Sequence, residues 1–234
     1  MPTDERETAS TLLRADDVAV LLDAGTGVRR LVAEPATLRR VRRLHVCLTH
    51  FHLDHVIGLF YVGELGVPVE VWGGGEVLES TPTAELVARL LGSPFAPPSF
   101  AASFAYIHEL HEGEQTVGPF TVRARKQLLH TNPTLALRVG DDVACCTDTA
   151  YDEGNVGFAR GARVLLHEAF TAGETTRDPS HSAAGEAARI AAAAGVERLV
   201  LIHLNPVDVQ EEALLASARK YFPAVEVGSD GLEV

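Results

Sequence analysis

Between Thr49 and Val56 the chain reads His50-Phe51-His52-Leu53-Asp54-His55, four metal-ligating side chains within six positions, directly behind the apolar run Leu44–Leu48. A short apolar run of this kind reads as a strand, so the motif stands at a strand end. His50 and His52 are two apart, and on an extended segment they face the same way. Asp54 and His55 follow at another angle because the sequence turns helical through Val56-Ile57-Gly58-Leu59-Phe60. The two pairs can therefore lie against two neighbouring cations, and histidines scattered over a surface by chance do not reach this density. The remaining ligands have to come from far along the chain. His130 follows Phe120–Leu129, Asp148 follows Val143–Thr147, and His203 follows Arg198–Ile202. Each alone reads as the first loop residue after a strand; their order and company give them weight.

Apolar periodicity elsewhere predicts alternating short strands and helices. Strand signals lie at 18–22, 44–48, 69–72, 105–110, 120–125, 134–139, 143–146, 164–166, 199–202 and 224–227. Helix signals lie at 36–43, 55–66, 83–91, 183–194 and 209–221. Without a low-complexity linker or an internal repeat, one α/β domain over 1–234 is expected: an αββα sandwich with loops meeting along one edge.

Charge and composition exclude several classes. A formal net charge of −12 argues against stable DNA binding, because phosphate contacts need clustered Lys and Arg. The cluster Arg39-Arg40-Val41-Arg42-Arg43 reads as a solvated helix C-terminus leading into the next strand. No apolar window is long enough for a membrane helix. The charged start Met1–Thr8 has no signal-peptide core behind it, and Cys47, Cys145 and Cys146 read as buried thiols of a cytoplasmic protein. Gly25-Thr26-Gly27 lacks the third glycine of a dinucleotide fingerprint.

The series Leu22-Asp23-Ala24-Gly25-Thr26-Gly27, then the His50–His55 motif, His130, Thr147-Asp148-Thr149 and Ile202-His203 resembles the metallo-β-lactamase superfamily. His167-Glu168-Ala169-Phe170 and Ser180-His181-Ser182-Ala183-Ala184 are similar to its phosphodiesterase branch, which holds ribonuclease Z and hydrolases of cyclic nucleotides and small phosphodiesters. The resemblance implies His50, His52 and His130 on one divalent ion, Asp54, His55 and His203 on a second, and Asp148 bridging. Imidazole and carboxylate donors suit Zn²⁺, with Mn²⁺ or Fe²⁺ as substitutes. Two such ions about 3.5–4 Å apart share a hydroxide for in-line displacement. The implied catalytic residues are Asp54, Glu168 and His181, the last two as a carboxylate-oriented imidazole that serves the leaving alkoxide. Read structurally, Glu168 is a strand-end carboxylate and His181 a loop residue ahead of a helix begun by Ser182. The family places Asp23 beside the metals as a hydrogen-bond partner; its residues read equally as a strand-to-turn aspartate before a flexible glycine turn.

The expected substrate is a small-molecule or short nucleic-acid phosphodiester: a cyclic nucleotide, a nucleotide diester or short RNA. The alternatives are a thioester or lactone hydrolase of the glyoxalase II type, or a tRNA 3′-processing endoribonuclease. Against the last, enzymes that grip tRNA often carry an extruded arm between the third histidine motif and the bridging aspartate. Here seventeen residues separate His130 from Asp148, and a hairpin turning at Gly140-Asp141-Asp142 consumes them. The family's glycine-aromatic-Arg after this histidine, which the resemblance implies as a phosphate contact, appears as Leu135-Ala136-Leu137-Arg138, which keeps only the Arg. The proline-rich stretch Leu91–Phe100 with Phe104 reads as a flap that packs locally, stacks on a base or closes a homodimer interface, and a homodimer is expected.

Overall fold

The computed structural model describes residues 2–3, 6–97, 100, 103–207 and 210–233. They form two compact units, Met1–His111 with Thr116–Pro119 and Glu112–Gln115 with Phe120–Val234. Each unit holds one mixed sheet with helices packed on it.

In the first unit the strands are β1 (Thr11–Ala15), β2 (Val18–Leu22), β3 (Arg43–Cys47), β4 (Val69–Gly73) and β5 (Tyr106–Glu109), in that spatial order. β1 and β2 form an antiparallel hairpin, and the other pairings are parallel. Alternate residues Ala19, Leu21, Leu44, Val46, Leu48, Val69 and Val71 point to one core, as the period of two requires. Onto them pack Val28 of α1 (Val28–Ala33), Val56 of α2 (Leu53–Val56) and Val87 of α4 (Thr83–Leu90). The short α3 (Gly75–Glu79) joins β4 to α4.

The second unit carries β6 (Gly113–Val117), β7 (Phe120–Gln127), β8 (Thr134–Val139), β9 (Val143–Cys146), β10 (Val164–Glu168), β11 (Arg198–Ile202) and β12 (Val225–Val227). Their order is β12-β11-β10-β9-β8-β7-β6, with the last two residues of β6 grouped with the first unit. β7, β8 and β9 are antiparallel neighbours, and β9 to β12 run parallel. Ala144, Cys146, Leu165, Leu199 and Leu201 face α5 (Gly154–Ala159), α6 (Ala184–Ala194) and α7 (Glu211–Ala218). The alanines of α6 let this helix lie close to its sheet. Leu199 is fully buried in this cluster. Truncating Leu199 to Ala is expected to cost about 2–5 kcal/mol, read as a lower urea midpoint at unchanged slope.

Several sequence expectations are corrected. The helix expected over 36–43 is a single 3-10 turn at Pro35–Leu38. Beyond it the chain turns away from helical bonding: the Arg42 N–H donates to Asp17 O (2.7 Å) in the turn before β2, and Leu44, already in β3, donates to Pro68 O (3.0 Å). The arginines therefore do not cap a helix; Arg42 pairs with Asp17 and Arg43 with Glu70. The helix expected over 55–66 starts earlier, as α2, and continues as a 3-10 helix over Ile57–Glu64. Ser182 is not the helix cap: α6 begins after Ala183, whose N–H donates to Glu186 (2.8 Å), while the Ser182 hydroxyl donates to Thr149 O (2.7 Å). β1, β6, α1, α3 and α5 were not anticipated. Val209, where the last helix was expected to start, lies outside the described residues, as do Pro98 and Ser99 of the flap.

The hairpin at Gly140 is present, with Gly140 at φ 53° and Asp142 N–H bonded to Val139 O. Cys47, Cys145 and Cys146 are buried; burial raises the Cys47 thiol and pushes that of Cys146 to about 12, which keeps both protonated. Phe100 packs on Phe60 (5.6 Å) and Phe104 joins the same core, whereas Phe95 is exposed. Among the described residues no helix is long and apolar enough to cross a membrane.

Candidate metal centre

The first unit assembles its donors where β2 and β3 end. β3 stops at Cys47, and the Leu48 N–H still reaches Trp72 O (2.8 Å). His50 and His52 follow beyond the strand, with His52 on extended backbone as the residue before α2. Asp54 and His55 lie in that helix, so three imidazoles converge: the His50 ring is 4.4 Å from that of His52 and 4.3 Å from that of His55. His50 and His55 are buried, and Asp54 approaches His55 Nε2 at 3.7 Å.

Asp23 organises this set. It follows β2 at φ 59°, a left-handed conformation that Asp tolerates better than most residues. One carboxylate oxygen accepts the Thr49 N–H (2.7 Å); the other accepts the Thr49 hydroxyl (2.8 Å) and the His55 Nδ1–H (2.8 Å). Since that hydroxyl proton goes to Asp23, Thr49 Oγ1 is left to accept from His50 Nδ1 (3.1 Å). Both rings thus carry their proton on Nδ1 and present a lone pair on Nε2. The glycine turn after Asp23 seats the motif's backbone: Ala24 N–H donates to His55 O (2.8 Å) and Gly58 N–H to Ala24 O (2.7 Å). A Cβ on Gly58 would stand 2.0 Å from Gly25 O, so this approach requires glycine. The Thr8 hydroxyl donates to Asp54 O (2.7 Å) from the other side.

The second unit places its donors at the carboxyl ends of adjacent parallel strands. Cys146, His167 and Leu201 stand in register across β9, β10 and β11. Asp148, Glu168 and His203 therefore come out at one end of the sheet, where ligands bind in open α/β sheets. Asp148 (φ 51°) and His203 (φ 48°) are both left-handed, a strain of the kind that clusters at functional sites. Asp148 accepts the Thr147 hydroxyl on one oxygen (2.6 Å). Its other oxygen lies 3.2 Å from His203 Nε2 and 3.7 Å from His130 Nε2. His130 Nδ1–H donates to Ser180 O (2.9 Å), which a carbonyl can only accept, so here too Nε2 carries the lone pair. One donor atom each from Asp148, His181 and His203 lie within 4.8 Å of one another.

Glu168 is fully buried between two donors. One oxygen takes the Thr149 N–H in a short contact, and the other takes His181 Nδ1–H at 2.8 Å. Burial raises its carboxyl well above the ordinary range; the facing His203 opposes this, and the nearby Asp148 adds to it. The His181 ring lies flat on Phe170, 4.2 Å between centroids, which fixes its plane. His167 stands outside this group: burial lowers its pKa to about 4, and Nδ1–H donates to Glu168 O (2.9 Å), so it is a neutral core residue. Arg138 is spent on the carbonyls of Gly140, Phe158 and Arg160, which removes it as a phosphate contact.

Each sequence-derived site residue thus falls in one of two sets, His50, His52, Asp54 and His55 with Asp23 in the first unit, and His130, Asp148, Glu168, His181 and His203 in the second. The orienting groups Thr49, Thr149 N–H and Ser180 O were not foreseen; two act through backbone atoms, and Thr49 depends on a partner 26 residues away. In the first unit His50 and His55 present Nε2 beside Asp54, and in the second His130 presents Nε2 beside Asp148; donors of these types suit a divalent ion.

The sequence profile described as "Beta-lactamase superfamily domain" matches residues 19–204. A ribonuclease Z of Bradyrhizobium sp. is 31% identical over an alignment that covers 98% of this chain and 94% of that protein. Among solved structures, the metallo-beta-lactamase fold protein YhfI from Bacillus subtilis superposes with a TM-score of 0.78 at 23% identity, covering 99% of this chain and 93% of its own. A diphosphatase from the PhnP family gives 0.73 at 17% identity, covering 96% and 83%. These likenesses span both units and account for two mixed sheets flanked by helices as the metallo-β-lactamase fold. The chain belongs to the metallo-β-lactamase superfamily of metal-dependent hydrolases, in the branch that includes ribonuclease Z.

Proposed function

We propose that this protein hydrolyses phosphodiester bonds with two divalent ions, and that its substrate is a small or flexible diester such as a cyclic nucleotide, a nucleotide diester or short RNA. His50, His52 and His130 would hold one ion, Asp54, His55 and His203 the other, with Asp148 shared between them. Zn²⁺ suits this mixture of imidazole and carboxylate best, and Mn²⁺ or Fe²⁺ are accepted substitutes. Bound there, the ions would supply Lewis-acid activation of water and of the phosphoryl group.

The observation that carries the proposal is the pair of half-buried His181 and fully buried Glu168, 2.8 Å apart. Glu168 is held on its far side by the Thr149 N–H, so it fixes the orientation and tautomer of His181. His181 protonates the departing alkoxide, a group too basic to leave readily unaided. A thioester or lactone hydrolase has less need of such a donor. Asp23 acts upstream by holding His55 and Thr49. Asp23→Ala is therefore expected to weaken divalent-ion affinity roughly 10–100-fold in chelator competition. Unchanged affinity would make Asp23 a turn residue only.

Ribonuclease Z activity is the second reading, favoured by the 31% identical relative. Against it, β8, the Gly140 turn and β9 occupy most of the chain between His130 and Asp148, with no inserted arm. A direct comparison of 3′,5′-cyclic AMP, a dinucleotide and a precursor tRNA separates the two. Turnover of the small diesters without cleavage at the tRNA 3′ end is expected; site-specific cleavage there would establish the second reading instead.

A further inference from the structure

His181 is delivered by a strap, Thr171–Ser180, that lies on α6 and α7. Gly173 N–H donates to Ser217 Oγ (3.0 Å), and the Glu174 carboxylate accepts from Lys220 Nζ (2.7 Å) and from the Tyr221 hydroxyl (2.8 Å). The Glu174 carbonyl accepts from Arg189 Nη1 on α6 (2.9 Å). The same guanidinium lies against two rings, 5.2 Å from the centroid of Tyr221 and 5.6 Å from that of Tyr151. Tyr151 belongs to the other functional loop: it is three residues beyond Asp148 and two beyond Thr149, whose N–H holds Glu168. One planar cation thus touches both the loop that follows Asp148 and the strap that precedes His181.

We infer that Arg189 is a positioning residue that fixes the spacing of these two loops and so holds His181 in place against Glu168. An exposed ion pair such as Lys220–Glu174 contributes little by itself. Arg189 differs because three contacts from outside its helix converge on it, beside its approach to Glu186 one turn back (3.9 Å). A flat guanidinium contacts two rings and still presents an N–H in its plane, which a lysine ammonium cannot do. The inference rests on the proposed function only for its kinetic consequence; the coupling of the loops is independent of it.

Two measurements on Arg189→Met, which keeps the aliphatic stem, and on Arg189→Lys test it. By hydrogen–deuterium exchange, segments 149–153 and 171–182 are expected to lose protection together in both variants, while β9 to β11 keep theirs. Loss in one segment alone, in neither, or full protection in Arg189→Lys would overturn the inference. In turnover at saturating metal, kcat for a dinucleotide, whose leaving group is an alkoxide, is expected to fall roughly 10–100-fold, as for a displaced catalytic group. Little change is expected with bis(4-nitrophenyl) phosphate, whose leaving group departs without a proton donor. Equal losses on both substrates would show general damage and overturn a role through His181. A wild-type protein that hydrolyses neither diester would remove the phosphodiesterase reading, and the exchange data would still decide the coupling.

Discussion

Replacing Asp148 by alanine is expected to lower bound divalent metal from two ions per chain to one or fewer, and to abolish turnover with it. Asp148 is buried, and its second oxygen stands 3.2 Å from His203 Nε2 and 3.7 Å from His130 Nε2. Under the proposed assignment it is the one ligand that both ions share. Losing it removes several kcal/mol of charge stabilisation, a loss of roughly a thousandfold or more in kcat. Alanine is also strained at φ 51°, a cost to the loop that is independent of metal. Asp148→Asn controls for this, because asparagine tolerates the left-handed conformation and carries no charge. Both variants should show the same loss by elemental analysis and by turnover. Full metal content with full turnover in either would remove Asp148 from the bridging role.

Replacing His181 by alanine should give the opposite pattern, with kcat down about 10²–10⁴-fold and metal content unchanged. The ring is stacked on Phe170 and bonded to Glu168, a placement that orients it without requiring a metal. Its distance to Asp148 and His203 nonetheless makes a ligand role geometrically available. Elemental analysis beside kinetics separates the two: metal lost in proportion to activity would make His181 a ligand. For a proton donor, the loss should shrink as the leaving group becomes less basic.

Which parts of this were legible in the sequence follows from what each part depends on. β2, β8 and β9 were located to the residue, because their apolar runs are bounded by turn residues and buried in the folded chain. β1 and β6, with polar or exposed residues such as Arg14 and Glu114, carry no such run and exist through pairing with a neighbour. The helix expected over 36–43 stops after Leu38 because the Arg42 N–H bonds to Asp17 O instead of the carbonyl four residues back, which outweighs local helix propensity. At the site, side chains at strand ends were readable by type and order. The contacts that orient them were not, since Asp23 meets Thr49 and His55 only after β2 and β3 pair in register. Nor could Arg138 be dismissed before its carbonyl partners were known.

The central claim is a phosphodiesterase that works with two ions. The most direct test loads the protein with Zn²⁺, verifies two ions per chain by elemental analysis, and offers bis(4-nitrophenyl) phosphate beside a thioester and a lactone. Release of 4-nitrophenol that disappears on chelation and returns with added metal is the expected result. Protein that holds two ions, leaves the phosphodiester intact and hydrolyses the thioester or the lactone would contradict the account.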